Sequence, residues 1–426
     1  MPKGFLWGRE EVIDYLKTNQ DSLSEMPEIN FDRVSVSDLT DGNVNQVFLV
    51  SDGVNKIVVK HAPPFLRVVP TWALSPDRNK IEAMYLEQAK SIVPEFVPQI
   101  YFQSGDTMVM EYIPGHQNGR VALKARQYFP DLGRHIGEYV ARMTFSHSAF
   151  CRSVFDLEES AKSHVDHDLL KLTEKLFFID PYTLSARNKF SSELFPQMFA
   201  MSCNTALKTK VQKLKDKFLT EHQALIHGDL HTASLLVTET STKVLDAEFS
   251  LYGPVGFDLG IFIANLVINY MAQFELCEDF SERKAYQVYL LTQMQNIWET
   301  FVEEFKKLTG SGPAMSEIVE DFLNKIWKDL VGYSGAEIIR RTVGLAHEGD
   351  LSPSPDPKKK VAIERVLVNL GCQFILDGGV ILDCEAICEL LQRTVPSITP
   401  PKIAKCDWDE LSVRRDLFYA SLSHGV

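Results

Sequence analysis

Glycine-based phosphate signatures are missing from this sequence. None of its 23 glycines is followed by lysine, and no G-x-G-x-x-G occurs, so P-loop and dinucleotide-binding folds both lose their fingerprints. Basic charge is in deficit: 44 Lys and Arg stand against 57 Asp and Glu, a net charge of −13. That argues against a nucleic-acid partner, whose phosphate backbone needs a basic surface. A local pocket can still hold one phosphate ligand against the global sign. Cysteine is sparse, seven scattered residues without a C-x-x-C, which describes neither a disulfide framework nor a zinc site and fits a reducing compartment. Long apolar runs are lacking too. The start, MPKGFLWGREEVIDYLKTN, has early acidic residues and no apolar signal core. LGIFIANLVINYMA (259–272) is too short for a bilayer and is interrupted by Asn265 and Asn269, so it predicts a buried helix. A soluble, cytoplasmic protein with no nucleic-acid or membrane partner is expected.

What is present describes two subdomains, because 426 residues exceed one ordinary core. REEVIDYLKT (9–18) has the pattern of a short amphipathic helix. From Val34 the period becomes two: VSVSDL, QVFLV and NKIVVK, separated by the turns TDGNVN and SDG, predict an antiparallel meander. A helix over 77–92 and a hairpin over 100–113 complete an α+β lobe, 1–113. Helical patterns dominate 114–426, at about 123–150, 155–175, 191–222 and 255–350, with a β interruption at 224–250. Residues 349–360 predict an exposed loop, a helix pair follows to about Arg393, and 395–426 has no placed structure. The class is α+β, a β-rich lobe followed by a helical one.

The chemistry concentrates around LIHGDLHTAS (225–234). Two histidines and an aspartate in so short a turn admit metal ligation, acid–base chemistry or a plain polar turn, and the order of other residues narrows the choice. Asp41-Gly42-Asn43 makes a tight turn at the front of the β lobe, able to aim N–H groups outward. Lys60 closes the next strand run, and Glu82 lies in the following helix. A strand lysine paired with a helix glutamate is how protein-kinase-like folds hold nucleotide phosphates. Asp229 is then followed 17 residues later by Asp246, with Glu248 two further on. Phosphoryl transfer needs a carboxylate to orient a hydroxyl and Mg²⁺ to offset phosphate charge. Asp229 suits the first task, Asp246 and Glu248 the second, and Ser234 falls where kinases carry a metal-binding Asn.

HGDLHTAS, LDAEFSLYGPVGFDLG and SGAEIIRRTVGLAH together resemble the methylthioribose kinases, small-molecule kinases of the aminoglycoside-phosphotransferase type. DGNVNQVFLV, the Trp72 segment with Arg78 and Glu82, and MEYI (110–113) fall in the same order, so the resemblance runs from about residue 5 to 393. It implies a protein-kinase-like bilobal fold and ATP- and Mg²⁺-dependent phosphorylation of the 1-hydroxyl of 5-methylthioribose. It implies nucleotide contacts at Gly42, Asn43, Asn45, Lys60 and Glu82, and a hinge at Met110, Glu111 and Tyr112. Asp246, Glu248 and Ser234 would hold metal. Asp229, His231, Arg340, Arg341 and Trp72 would meet the sugar, Trp72 from a loop closing over the site. A homodimer is implied as well. Adjacent arginines point about 100° apart on a helix, so one is expected on substrate and the other bracing a carboxylate. Three positions depart from the family: Ala233 and Ala247 replace Gly and Pro, and Ala73 replaces the Pro after the loop tryptophan.

Ordinary structural roles compete with several of these. His227 is expected to bond backbone near the metal segment, Asp258 to brace the catalytic loop, and the Phe-rich stretch at 173–182 to be core. Competing functions are a kinase of the same fold acting on choline, ethanolamine, homoserine or an aminoglycoside, and an inactive kinase-like binding protein. A cationic acceptor calls for an acidic or aromatic cage, which an arginine pair does not supply.

Overall fold

The change of hydrophobic period near Val34 marks where a sheet begins. The computed structural model describes residues 6–23, 25–39, 44–310, 312–345, 351 and 356–396. Helix α1 (Arg9–Thr18) buries Val12 and Leu16, one turn apart, against that sheet. Strands β1 (Ser35–Asp38), β2 (Gln46–Ser51) and β3 (Lys56–His61) form the expected antiparallel meander. The chain then makes a two-stranded strap that the sequence pattern did not predict, β4 (Phe65–Leu66) and β5 (Val69–Ala73). Its strands are short and Pro-interrupted, too brief for a period to register. Helix α2 (Arg78–Ile92) and the hairpin β6 (Ile100–Ser104) and β7 (Thr107–Glu111) follow, giving the sheet order β1-β2-β3-β7-β6.

Strand β8 (Gln117–Asn118) leads into the helical part. The helix expected over 123–150 is two: α3 (Gly119–Lys124) and α4 (Leu132–Ser146). Arg126 at φ 62° and then Pro130 break it. Helices α5 (Val154–Ser163) and α6 (His167–Thr173) run into a π-helical turn, Glu174–Ile179. Then come α7 (Phe195–Cys203) and α8 (Thr205–Thr220). The β interruption resolves into β9 (Ala224–Ile226), β10 (Leu235–Val237), β11 (Thr242–Val244) and β12 (Leu251–Gly253), with β9 paired to β12 and β10 to β11 and β8.

Three long helices follow: α9 (Gly256–Leu276), α10 (Phe280–Thr309) and α11 (Pro313–Val343). Among the described residues, α9 alone is long and apolar enough to span a membrane, and 89% of its apolar window is buried inside the protein. It is the central core helix, as its two interrupting asparagines suggested. Helices α12 (Pro357–Asp377) and α13 (Cys384–Arg393) end the described chain. Helix α12 begins at Pro357, inside the stretch 349–360 expected as a loop, of which 349–350 and 352–355 lie outside the described residues. Asp356 caps α12 through the Lys358 and Lys359 N–H groups, and Pro357 takes the first helical position.

The largest apolar cluster crosses between the two parts. It takes Tyr85 and Leu86 from α2 and Met108 and Met110 from β7, and joins them to α4, α9, α10 and α11. Inside it the hydroxyls of Tyr85 and Tyr139 meet at 2.6 Å, fully buried, tying α2 to α4.

Candidate active site

The apolar residues Leu225 and Ile226 occupy buried strand β9, so the following His-Gly-Asp turn starts from a fixed edge. Gly228 makes the turn at φ +79°, and the backbone of Phe249 passes too close for any side chain there. Asp258, at the start of α9, accepts from the N–H groups of His227 (2.6 Å) and Gly228 (2.9 Å). Burial raises its pKa to about 6 against the opposing pull of His227 and the two N–H contacts. His227 Nε2 donates to the Leu245 carbonyl at 2.8 Å, leaving Nδ1 to accept from the Asp229 N–H. Both residues therefore brace backbone, in the manner expected of them. One imidazole ties the Asp229 loop to the residue preceding Asp246.

Residues Thr232–Ser234 form a single 3-10 turn capped by His231, whose Nδ1 accepts the Ser234 N–H at 3.0 Å. Its Nε2 lies 3.3 Å from Asp229 Oδ2. Burial lowers the His231 pKa to about 4 despite the neighbouring carboxylate. A neutral imidazole that accepts at Nδ1 carries its proton at Nε2, facing Asp229. His231 thus supports the carboxylate. The Ser234 hydroxyl donates to the Asp229 carbonyl at 2.9 Å. That contact places Ser234 in the bracing of the loop, and it makes no contact with the carboxylates expected to share a metal with it.

Asp229 Oδ1 lies 3.2 Å from Arg340 Nη2 and 4.0 Å from Arg341 Nη2. Burial opposes its charge, but the His231 contact and the two guanidiniums outweigh it and hold Asp229 well below the usual carboxylate range. One arginine was expected to brace a carboxylate, and both do. Both bind Glu337, one turn earlier and wholly buried, and both reach towards Asp229. Arg340 also lies 5.2 Å from the ring centroid of Phe177, which is itself a core residue.

Lys60 stands opposite Val47 and Met108 in the sheet and points its ammonium into three carboxylates. Nζ is 2.7 Å from Glu82, 2.8 Å from Asp246 and 3.1 Å from Glu248. Burial disfavours its charge, yet the three anions raise its pKa well above the ordinary value. Burial raises Glu82 to about 8 and also raises Glu248, Lys60 pulling the other way. Asp246 is lowered: burial would raise it, but Lys60 prevails. Asp246 sits at φ +63° and its side chain is half-exposed, so a left-handed kink turns it towards the open side. Carboxylate oxygens of Glu82, Asp246 and Glu248 all lie within 4.8 Å of one another. Hard, anionic oxygens at that spacing fit Mg²⁺, which takes one or two carboxylates and completes its shell with phosphate and water.

Other predicted residues are placed differently. Gly42 and Asn43 lie outside the described residues. Asn45 turns its amide oxygen to Arg78 Nε at 2.8 Å, so its side chain acts within the lobe. Met110 is buried opposite Val58 in the sheet, and the Glu111 carboxylate accepts from the Gln99 N–H. Tyr112 stacks under Lys56. Trp72, on the strap, makes no hydrogen bond or ring contact with Asp229, His231 or the arginines. It sits beneath Lys175 (5.3 Å) and Arg187 (5.9 Å), beside Phe249 and Leu169. Ala233 does not adopt positive φ, so the missing family glycine leaves no strain. Glu337 was not named from the sequence, and Arg78 entered only as part of the family resemblance. Glu337 was legible from its i,i+3 and i,i+4 spacing to the arginines. Arg78, completely buried, donates to Asn45 and to the Val44, Pro63 and Ser75 carbonyls, and no sequence pattern announces that.

Residues 35–283 match the Phosphotransferase enzyme family. The methylthioribose kinase of Yersinia pseudotuberculosis serotype O:3 (strain YPIII) is 33% identical over 379 residues, covering 87% of this chain and 93% of that protein. The methylthioribose kinase of Geobacillus sp. (strain WCH70) is 37% identical over 371 residues, 85% and 91% of the two chains. That of Pectobacterium carotovorum subsp. carotovorum (strain PC1) is 35% identical over 364 residues, 83% and 91%.

Proposed function

For a chain that belongs to the methylthioribose kinase family of phosphotransferases, and is a small-molecule kinase, we propose transfer of the ATP γ-phosphoryl group to the 1-hydroxyl of 5-methylthioribose. The sugar oxygen forms a bond to phosphorus, the bond to the β-phosphate oxygen breaks, and ADP leaves. Asp229 accepts the hydroxyl's hydrogen bond. Because its pKa is depressed, it orients the nucleophile first and takes the proton late, when the attacking oxygen has become acidic. Lys60, held by Glu82, contacts the nucleotide phosphates. Asp246 and Glu248 would hold Mg²⁺, which offsets phosphate charge when bound. Arg340 and Arg341 meet the sugar and the transferring group. A homodimer is part of this proposal, checked by light scattering.

The observation that carries the proposal is the His227 bridge. It ties the Asp229 loop to Leu245, so the carboxylate that orients the acceptor and the carboxylates that suit the metal share one backbone anchor. The test is a panel of methylthioribose, ribose, choline and homoserine with Mg-ATP, read by ADP release, wild type beside Asp229→Ala. Methylthioribose is expected to turn over to the 1-phosphate, and the variant is expected to bind ATP without transfer. Turnover of choline and not of methylthioribose would end the substrate assignment; equal rates for the variant would end the role of Asp229.

A further inference from the structure

Neighbouring residues on a helix point about 100° apart, so the backbone of α11 alone would aim only one of Arg340 and Arg341 at Asp229. Both are aimed at it, at 3.2 and 4.0 Å. The cause is one turn earlier. Glu337 is the i−3 neighbour of one arginine and the i−4 neighbour of the other. Its Oε2 accepts from Arg340 Nε at 2.6 Å, and its Oε1 accepts from Arg340 Nη2 at 3.1 Å and Arg341 Nε at 2.8 Å.

The Glu337 side chain has no exposed surface. A buried carboxylate is costly unless paired, and an apolar residue would pack the helix there at less cost. Both guanidiniums are gripped through Nε. For Arg341 that is its one hydrogen bond among the described residues, so its terminal nitrogens keep their donors for another acceptor. Among the described residues, Arg340 Nη1 makes no hydrogen bond, while Nη2 donates to Asp229 as well as to Glu337.

We propose that Glu337 is a positioning residue for phosphoryl transfer, converging two divergent arginines so that their terminal N–H groups act together beside Asp229. The identity of the transferred group rests on the kinase assignment above. Glu337 itself touches neither substrate.

The test compares Glu337→Gln and Glu337→Ala with Asp329→Asn. Asp329 is another buried carboxylate of α11, paired with Lys217 and without contact to the arginine pair. For each, kcat and KM for Mg-ATP and methylthioribose are measured per folded protein. Background hydrolysis of Mg-ATP to water and the ¹H–¹⁵N signals of the arginine Nε–H groups are measured alongside. E337Q is expected to lower kcat by roughly 10- to 100-fold, as misplacement of a positioned group does, with KM for Mg-ATP within about twofold. Two arginine Nε–H signals are expected to move. D329N should change neither. Wild-type kcat in E337Q, an equal loss in D329N, or a loss confined to KM for ATP would each overturn the inference. Should wild type not turn over methylthioribose, the substrate assignment fails on its own. Glu337 is then judged by hydrolysis and the arginine signals, where unmoved signals overturn it.

Discussion

Replacing Gly228 with alanine asks how the Asp229 loop is held. Two costs can be separated. Gly228 has φ +79°, and a left-handed conformation costs an alanine roughly 1–2 kcal/mol. The added Cβ would also lie 2.1 Å from the Phe249 carbonyl oxygen and 2.7 Å from its carbon. Those are backbone atoms one residue past Glu248, so no side-chain rotation relieves the overlap. Forced overpacking typically costs about 1–3 kcal/mol, for a total of about 2–5 kcal/mol. Relief requires the Asp229 loop and the Asp246–Glu248 segment to move apart by about 1 Å, a displacement that costs on the order of 100-fold in rate. Gly53 supplies the control: it has φ +93° and nothing within 4 Å of a built Cβ. Gly53→Ala is expected to lose only the roughly 1–2 kcal/mol conformational share, with kcat unchanged. Thermal unfolding and steady-state kinetics of both variants decide the matter. A Gly228→Ala protein no less stable than Gly53→Ala, with wild-type kcat, would refute the close approach as the reason for this glycine.

Lys60→Met removes the cation from three carboxylates; a loss of about 3–5 kcal/mol is expected, and Mg²⁺ should stabilise the variant more than wild type in thermal shift, whereas an equal Mg²⁺ response would contradict the cluster's affinity for the ion. Arg78→Lys keeps the charge and loses the fork that reaches Asn45, Pro63 and Ser75. It should therefore destabilise nearly as much as Arg78→Met, and wild-type stability in the lysine variant would show that only charge matters. Burial lowers His164 to about 4 and, with help from Arg152, His147 to about 3. Because the unfolded chain binds these protons near pH 6.5 and the folded chain does not, stability is complete above about pH 6.5 and falls as pH drops towards 4. His164 alone accounts for about 3 kcal/mol. Urea unfolding between pH 8 and 5 measures the slope, and a flat profile above pH 5 contradicts the neutral buried state.

Local patterns carried much of this into the sequence. The meander, α2 and the hairpin were legible because a period of two, turn residues and a period of 3.6 are written within a few residues of one another. Asp229, Asp246, Glu248, Lys60 and Glu82 were legible as an order along the chain. What the sequence hid was direction. Asn45 and Ser234 turn inward to Arg78 and the Asp229 carbonyl, choices made by partners distant in sequence or by one loop's closure. The strap of Trp72 was expected as a loop, because one of its strands has two residues and the other, of five, carries Pro70, so neither shows a clear period. The arginine pair was seen, but its convergence depends on a buried acid that composition alone reads as one more helix glutamate.

The apolar cluster shared by α2, β7 and the long helices has a consequence for how the chain could be divided. The boundary near residue 113 separates kinds of secondary structure, and packing runs straight through it, with the Tyr85–Tyr139 contact buried at the crossing. A gene cut there would yield two polypeptides that each expose half of one interior, so they should aggregate apart and fold only when expressed together. Single-transition melting and resistance to protease nicking at 113–115 follow from the same continuity.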